Sequence, residues 1–229
     1  MASPLDAVLN HPAVWRGNDC VRVAVPSVPT GFAELDALLP GAGWPAEALT
    51  EIYVERPGIG ELQLMMPAAA RLTRAERWLV MIAPPYIPYA PALLGHGVRL
   101  SRLMLIRPQA VEAQLWAGEQ ALRSGSCGAV MLWLNRVQER ALRRLQLAAE
   151  RSGALAMLFR TARTPFFSSA ALRLHVSKAN GRAIVRVLKR RGGGIPAPVA
   201  LDLHGAVAAQ PVISRRPAIT IACLPATAH

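Results

Sequence analysis

Four uninterrupted apolar segments recur along the middle of the chain, each four to six residues long, with segments of helical periodicity between them. They occupy residues 78–83, 103–106, 129–134 and 154–159. Strands that alternate with helices and have no polar face are typical of a parallel sheet that is covered on both sides. The pattern therefore predicts an α/β fold with a mostly parallel central sheet and helices on both faces.

Shorter signals complete this core. A further short strand is predicted at residues 49–54. Helices are predicted at residues 30–39, 61–74, 91–97, 109–122 and 136–151. We expect Pro67 to interrupt the second of these helices. We expect Asn135 to cap the last one, with Gln138 three residues later in an arrangement close to a capping box.

The chain changes character toward its C-terminus. Residues 172–176 and 183–188 alternate between apolar and polar positions, and an Asn180-Gly181 pair between them is a strong hairpin signal. Glycine and proline are frequent after this point, and no core-forming pattern is present there. We therefore predict an N-terminal arm at residues 1–27, a core at 28–191 that closes with an antiparallel hairpin, and an extended C-terminal tail at 192–229.

Composition narrows the class of protein. The 229 residues are 52% hydrophobic and 17% charged, which excludes wholesale disorder. Apolar runs stay far below the roughly 20 residues of a membrane-spanning helix, and the first six residues resemble no export signal. Three cysteines and five histidines fall in no disulfide or metal-ligand spacing. We expect a cytoplasmic protein with no membrane partner, no metal and no cofactor.

Positive charge is concentrated in one quarter of the chain. Residues 136–191 contain 14 Arg and Lys against two Asp and Glu. The residues before them carry a net charge of −1 and those after them +1. Such asymmetry is expected of a surface that faces phosphates or an acidic partner. A high-arginine composition is the alternative, since 24 of the 26 basic residues are arginine.

Nine residues are the candidates for this basic face. In the predicted helix 136–151 four arginines form one stripe, opposite a core stripe of Val137, Ala141, Leu145 and Ala148. The remaining candidates lie on the predicted hairpin. Together the nine are Arg136, Arg140, Arg143, Arg144, Arg182, Arg186, Lys189, Arg190 and Arg191. DNA phosphates or an acidic protein groove would suit both groups, and an ordinary solvated face is the other interpretation.

The turn after the strand 49–54 lies where open parallel sheets bind their ligands. A phosphate loop there needs two glycines with four residues between them, followed by lysine and a hydroxyl residue. Its backbone amides wrap the phosphates, the lysine ammonium pairs with their charge, and the hydroxyl holds magnesium. This turn instead places Glu61 and Leu62 after Gly58 and Gly60. The first lysine of the chain is Lys178, beyond every candidate turn. We interpret Gly58, Gly60, Glu61 and Leu62 as a degenerate phosphate loop.

Other catalytic signals are weak. No aspartate occurs between Asp36 and Asp202, so no strand can end on a magnesium-binding aspartate. Gly58-Ile-Gly60 lacks the third glycine of a dinucleotide fingerprint. Ser168-Ser169 has neither elbow glycines nor a nearby base. We therefore name no catalytic residue and predict a binding protein that is not an enzyme.

A stiff loop offers a recognition surface. Residues 83–91 contain four prolines and two tyrosines directly after a core strand. Rigid aromatic loops lose little entropy on docking, which favours Tyr86 and Tyr89 as recognition residues. A structural lid over an empty ligand crevice is the alternative.

Five stretches of the chain, within residues 28–190, resemble the ImuA family of RecA-like proteins that are associated with translesion DNA synthesis. They are Thr30-Gly-Phe-Ala-Glu-Leu-Asp36, Pro40-Gly-Ala-Gly-Trp-Pro45, Leu49-Thr-Glu-Ile-Tyr53, Ala83-Pro-Pro85 with Tyr89-Ala-Pro91, and Ala121-Leu-Arg-Ser-Gly-Ser126. The resemblance implies a RecA-like core whose nucleotide-binding machinery has decayed, as in the related SulA-type cell-division inhibitors. Glu61 at the lysine position agrees with such decay.

The resemblance also implies a function and partners. Members of the family are damage-inducible accessory factors of a bacterial mutagenic complex, and they work with RecA. Their further partners are an inactive Y-family polymerase-like protein and an error-prone replicative-type polymerase, and we add single-stranded DNA as a candidate for the basic face. The alternative is a SulA-like inhibitor of filament assembly, acting on RecA or on a tubulin-like division protein. The C-terminal stretch beyond the inhibitor core favours the first of these functions.

Overall fold

A computed structural model describes residues 26–161, 168–191, 194–203 and 220–222. The strands are β1 Ser27–Val28, β2 Trp44–Pro45, β3 Ala48–Val54, β4 Trp78–Ile82, β5 Leu103–Ile106, β6 Cys127–Trp133, β7 Leu155–Arg160, β8 Leu172–Ala179, β9 Arg182–Lys189, β10 Val199–Leu201 and β11 Thr220–Ala222. The helices are α1 Ala33–Asp36, α2 Met66–Arg74, α3 Ala90–Gly95, α4 Val111–Arg123 and α5 Glu139–Ser152, with 3-10 turns at Gln63–Met65 and Leu100–Arg102.

Nine of the described strands form one sheet, in the order β10-β9-β8-β3-β7-β6-β4-β5-β11. Every neighbouring pair from β8 to β11 is parallel, and β9 runs antiparallel to both β8 and β10. This arrangement confirms the α/β architecture with a mostly parallel sheet and a C-terminal antiparallel hairpin. Strands β1 and β2 form a separate antiparallel pair.

Two hydrophobic cores cover the two faces of the sheet. The first core contains Ile52, Met81 and Met157 from the strands and buries residues of α1, α2 and α3 against them. The second core contains their neighbours on the other face, such as Val80 and Leu158, and buries residues of α4 and α5. Because both faces are buried, the central strands need apolar residues at every position, which explains their uninterrupted apolar sequence.

The C-terminal hairpin has the predicted turn. Asn180 and Gly181 both have positive φ, at 50° and 76°, between the paired residues Ala179 and Arg182. Two successive positive φ angles define the turn type that matches the twist of a two-residue hairpin, and Asn-Gly is the pair that adopts it most easily.

Short pieces of the C-terminal tail join the sheet at both edges. Strand β10 pairs with β9, and β11 pairs with β5. Residues 1–25 of the predicted arm and residues 204–219 and 223–229 of the predicted tail lie outside the described residues.

The predicted cap of the long C-terminal helix is wrong. Helix α5 begins at Glu139 after the N-cap residue Gln138, which makes no side-chain capping hydrogen bond. The Asn135 side chain instead accepts hydrogen bonds from the backbone N and the Oγ1 of Thr161, both at 2.7 Å. Asn135 therefore joins the end of β6 to the end of β7, a long-range role that local capping rules do not anticipate.

Three other helix predictions are corrected. Pro67 lies in the first turn of α2, where a backbone N–H is not needed, so it does not interrupt the helix. Helix α1 has four residues, not the predicted ten. The core stripe of α5 consists of Leu142, Leu145, Gln146, Ala148 and Ala149. Val137 lies before the first residue of the helix, and Ala141 is half-buried at the margin of the stripe.

Candidate functional site

A crevice opens at the carboxyl ends of β3, β4 and β6, where open parallel sheets place their ligand sites. The turn after β3 forms one wall, and the proline-tyrosine loop after β4 forms the other. The cavity volume is about 440 Å³. Its lining includes all four residues of the degenerate phosphate loop and both predicted recognition tyrosines, so the structure brings two separate sequence predictions together at one place: Gly58, Gly60, Glu61, Leu62, Tyr86 and Tyr89.

Glu61 is a buried carboxylate within the turn, with 5% of its surface exposed. Its Oε1 and Oε2 accept the backbone N–H of Gly58 at 3.0 and 3.1 Å. In a phosphate loop such an amide would face the phosphate oxygens. Here the chain supplies the anion itself, which leaves a negative charge where a phosphate would have to bind.

Gly60 allows the tail to pack against this turn. Its φ is +111°, and a Cβ built on it would lie 2.6 Å from Cδ1 of Leu203. Leu203 comes two residues after β10 and belongs to the first core. The glycine is therefore needed for a close approach of the protein's own C-terminal segment.

Lys178 also lines the crevice, although it is remote from the turn in sequence. It lies on β8 just before the hairpin turn, and β8 pairs directly with β3. The side chain is exposed, and no acidic residue in the described part of the chain pairs with it. Sequence reasoning placed Lys178 beyond the site because the pairing of β8 with β3 cannot be read locally.

The proline-tyrosine loop presents apolar surface to solvent. Tyr86, Ile87 and Tyr89 are exposed by 68%, 66% and 72%. Tyr89 is also the N-cap residue of α3, so the loop leads directly into a helix. Single exposed apolar residues are common, whereas these three lie together within four positions and form one apolar patch.

A buried ion network joins three neighbouring strands of the same sheet. Glu51 of β3 is fully buried and contacts Nη1 of Arg160 at 3.0 Å and Nε of Arg173 at 3.1 Å. The hydroxyl of Tyr53 donates to Glu51 Oε2 at 2.7 Å, and both guanidinium groups lie over the Tyr53 ring. Arg160 also donates to the carbonyl of Asn135 at 2.8 Å.

This network ties three adjacent strands together. Glu51 stands on β3, Arg160 on β7 and Arg173 on β8. The local sequence patterns did not reveal it, although an isolated Glu inside the apolar segment 49–54 was the available signal. Buried charges persist only when paired and hydrogen-bonded. The network therefore holds in place the strands that carry the turn after β3 and Lys178.

The nine predicted basic residues divide into two groups. Five of them have partners in the structure. Arg144 contacts the buried Glu119 at 2.7 Å, and Arg191 lies 3.8 Å from Glu150. Arg182, Lys189 and Arg190 donate to backbone carbonyls, namely those of Ala200, Ser168, Leu38 and Gly194.

The other four basic residues are exposed, and their side chains make no ion pair or hydrogen bond within the described ranges: Arg136, Arg140, Arg143 and Arg186. Three of them are on or just before α5. Arg186 points to the same side of the sheet as α5, because its neighbours Val185 and Val187 belong to the first core and α5 covers the second. Whether the nine residues form one binding face stays a prediction, and these four are its members without a side-chain partner among the described residues.

The described part of the chain contains neither a cluster of metal-ligating side chains nor a helix that could span a membrane. Among those residues, no three His, Cys, Asp or Glu side chains come together as a metal site would require. No helix in the described ranges combines the length and apolar character needed to cross a membrane.

The fold and crevice define a mixed α/β protein with a crevice at the carboxyl ends of its central strands, in which the Glu61 carboxylate accepts the backbone N–H of Gly58. Comparison with known proteins adds a relationship. A family model described as "Cell division inhibitor SulA" matches residues 48–156. A curated relative, cell division inhibitor SulA of Edwardsiella piscicida, is 29% identical over 111 residues, which are 46% of this chain and 66% of the relative.

The chain is therefore similar to the SulA family over residues 48–156, and it spans just under two thirds of the length of that relative. The matched stretch runs from β3 into β7 and includes both walls of the crevice, α4 and α5. It ends before the hairpin that carries Lys178 and Arg186. The finer resemblance to the ImuA family stays a prediction.

We expect Glu51→Gln to destabilise the protein by about 3–5 kcal/mol, because it leaves two buried guanidinium groups without their carboxylate. Urea unfolding followed by circular dichroism measures this change. The matched control is Glu76→Gln, which removes the carboxylate that pairs with both Arg99 and Arg102 on the surface. Exposed pairs contribute little, so a similar loss in both variants would contradict a special role for Glu51.

A pH effect should result from Tyr53. Burial, and then the hydrogen bond to Glu51, raise the pKa of Tyr53 from 10.0 to about 12. Between these values the unfolded chain releases a proton that the folded chain keeps, so the stabilisation is complete below pH 10 and is lost as the pH rises through 12. The stability difference between wild type and Tyr53→Phe should narrow by about 1–2 kcal/mol over this range. Urea unfolding at each pH would measure it, and a constant difference would contradict it.

Proposed function

We propose that this chain is a non-catalytic protein-binding protein of the bacterial DNA-damage response, and that it acts as an accessory factor of a translesion synthesis complex. One observation carries the proposal: the anion position of the crevice is filled by Glu61, while the opposite wall exposes Tyr86 and Tyr89. A site of this kind is built to contact a surface and not to hold a triphosphate.

The absence of catalysis is supported by the chemistry of the crevice. Hydrolysis of a nucleotide needs a phosphate-loop lysine and a carboxylate that holds magnesium at the end of a strand. Glu61 stands in place of the lysine, and β6 leads into Leu134 and Asn135. The Asn135 side chain is already engaged by Thr161. We therefore propose a RecA-like fold that has lost nucleotide turnover and kept a binding surface.

The proposed partners come from the resemblance to the ImuA family. They are RecA, an inactive Y-family polymerase-like protein and an error-prone replicative-type polymerase. The unpaired arginines on the α5 side of the sheet support single-stranded DNA as a further partner, because guanidinium groups bind phosphates well. The cytoplasm is the proposed location.

The second candidate function is inhibition of filament assembly. It is favoured by the similarity to a SulA cell division inhibitor, which includes both walls of the crevice. In this alternative the exposed loop would cover the assembly surface of RecA or of a tubulin-like division protein. Both candidates share a non-catalytic binding mechanism. They differ in the partner that is bound and in the effect of binding on that partner.

Two assays with the purified full chain separate the candidates. For the accessory function we expect it to retain the inactive Y-family polymerase-like protein and RecA, and to leave the sedimentation of both RecA filaments and tubulin-like filaments unchanged. Loss of sedimentable filaments of either kind, together with no retention of the polymerase-like protein, would contradict the accessory function and support the inhibitor. An ATPase assay in parallel tests the absence of catalysis. ATP turnover by the wild-type chain that is abolished in Glu61→Ala would refute that absence.

The unpaired arginines give a test of DNA binding. The triple variant Arg140→Gln, Arg143→Gln, Arg186→Gln should bind single-stranded DNA at least about tenfold more weakly in low salt, and its salt slope should fall by about 2. The matched control replaces three arginines that already have partners, Arg144, Arg182 and Arg190. Fluorescence anisotropy with labelled DNA measures both. Equal losses of DNA affinity in the two triple variants would show that binding depends on net charge alone and would contradict a special role for the unpaired arginines.

A further inference from the structure

We propose that the crevice between the turn after β3 and the proline-tyrosine loop is a docking slot for an extended segment of a partner protein, one that inserts an apolar side chain next to a carboxylate. The inference rests on the proposed protein-binding function and adds the place and the chemistry of recognition.

The walls of the slot favour an apolar side chain. Tyr86, Ile87 and Tyr89 leave most of their surface in water, which is unfavourable unless a partner covers it. Pro84, Pro85 and Pro88 restrict the same loop, so little backbone entropy is lost when it is contacted. The loop thus resembles the rigid aromatic anchors found at the centre of protein interfaces.

The size and base of the slot suit a few side chains of a peptide. A cavity of about 440 Å³ lies within the range of clefts that bind small ligands. Trp133 lines it and stacks on the buried Phe159, with ring centroids 4.7 Å apart. This stacking fixes the indole, so the slot has a preformed aromatic surface inside it.

The charges in the lining favour a carboxylate as the second feature of the bound segment. Lys178 is an exposed cation in the lining, and no acidic side chain of the described residues pairs with it. The acidic residue of the lining, Glu61, is engaged by Gly58 within the turn. A carboxylate on the occupant would therefore meet an available ammonium group.

The same charges disfavour a nucleotide as the occupant. A triphosphate would approach the buried Glu61 carboxylate and would find the Gly58 amide already occupied. Repulsion between like charges inside a partly apolar cleft is stronger than in water. An apolar peptide with one carboxylate can reach Lys178 at the rim and avoid the turn.

A selection from a random peptide library displayed on phage, with the immobilised full chain as bait, tests the inference. We expect enrichment of peptides that combine an aromatic or aliphatic residue with Asp or Glu. The double variant Tyr86→Ser, Tyr89→Ser should retain these peptides at least tenfold less well. Trp116→Ser is the matched control, because Trp116 is also an exposed aromatic residue, on α4 and outside the slot lining.

Reversing the charge gives the sharpest measurement. A selection on Lys178→Glu should enrich Lys or Arg in place of Asp or Glu, a change of preference that a merely structural role of Lys178 would not produce. Circular dichroism checks that each variant is folded. The inference is overturned if no peptide is enriched, if the Tyr variant retains the peptides like wild type, if the preference stays acidic, or if ATP with magnesium displaces the peptides.

A failure of the docking inference can be distinguished from a failure of the proposed function. Partners that copurify equally with wild type and with the Tyr86→Ser, Tyr89→Ser variant would leave the accessory function intact and move it to another surface. The docking inference would then be wrong on its own.

Discussion

The arrangement of the site depends on the ion network in which the buried Glu51 contacts Arg160 and Arg173. It holds β8, β3 and β7 side by side, from Arg173 near the start of β8 through Glu51 in the middle of β3 to Arg160 at the end of β7, and β8 brings Lys178 to the turn after β3. A buried carboxylate is costly to desolvate, so the two guanidinium groups are needed to compensate its charge. Tyr53 strengthens it by donating a hydrogen bond to the same carboxylate.

The turn after β3 combines a backbone amide, an acidic side chain and two glycines with positive φ, at Gly58 and Gly60. The anion is the side chain of Glu61, which belongs to the same turn. Similarity to a SulA cell division inhibitor extends through this region. The opposite wall of the crevice, by contrast, leaves the side chains of Tyr86 and Tyr89 exposed.

Much of the fold could be predicted, and the failures have a common cause. The apolar segments predicted the central strands to within two residues, because burial on both faces leaves a local and unambiguous pattern. The Asn180-Gly181 turn was equally local. Asn135 was wrongly assigned to a helix cap, because its actual partner is Thr161 on another strand end. The partners of five predicted basic residues could not be anticipated, because groups such as Glu119, which pairs with Arg144, become adjacent only in the folded chain.

By itself the amino-acid sequence determined the class of fold, the hairpin turn, the missing phosphate-loop lysine and the stiffness of the tyrosine loop. Each of these is decided by residue chemistry over a few neighbouring positions. Tertiary structure alone decided that Lys178 faces the crevice, that Glu61 binds Gly58, and which arginines stay unpaired. The physical reason is that strand order and helix packing join positions that are distant in sequence, as the 109-residue separation of Glu51 and Arg160 shows.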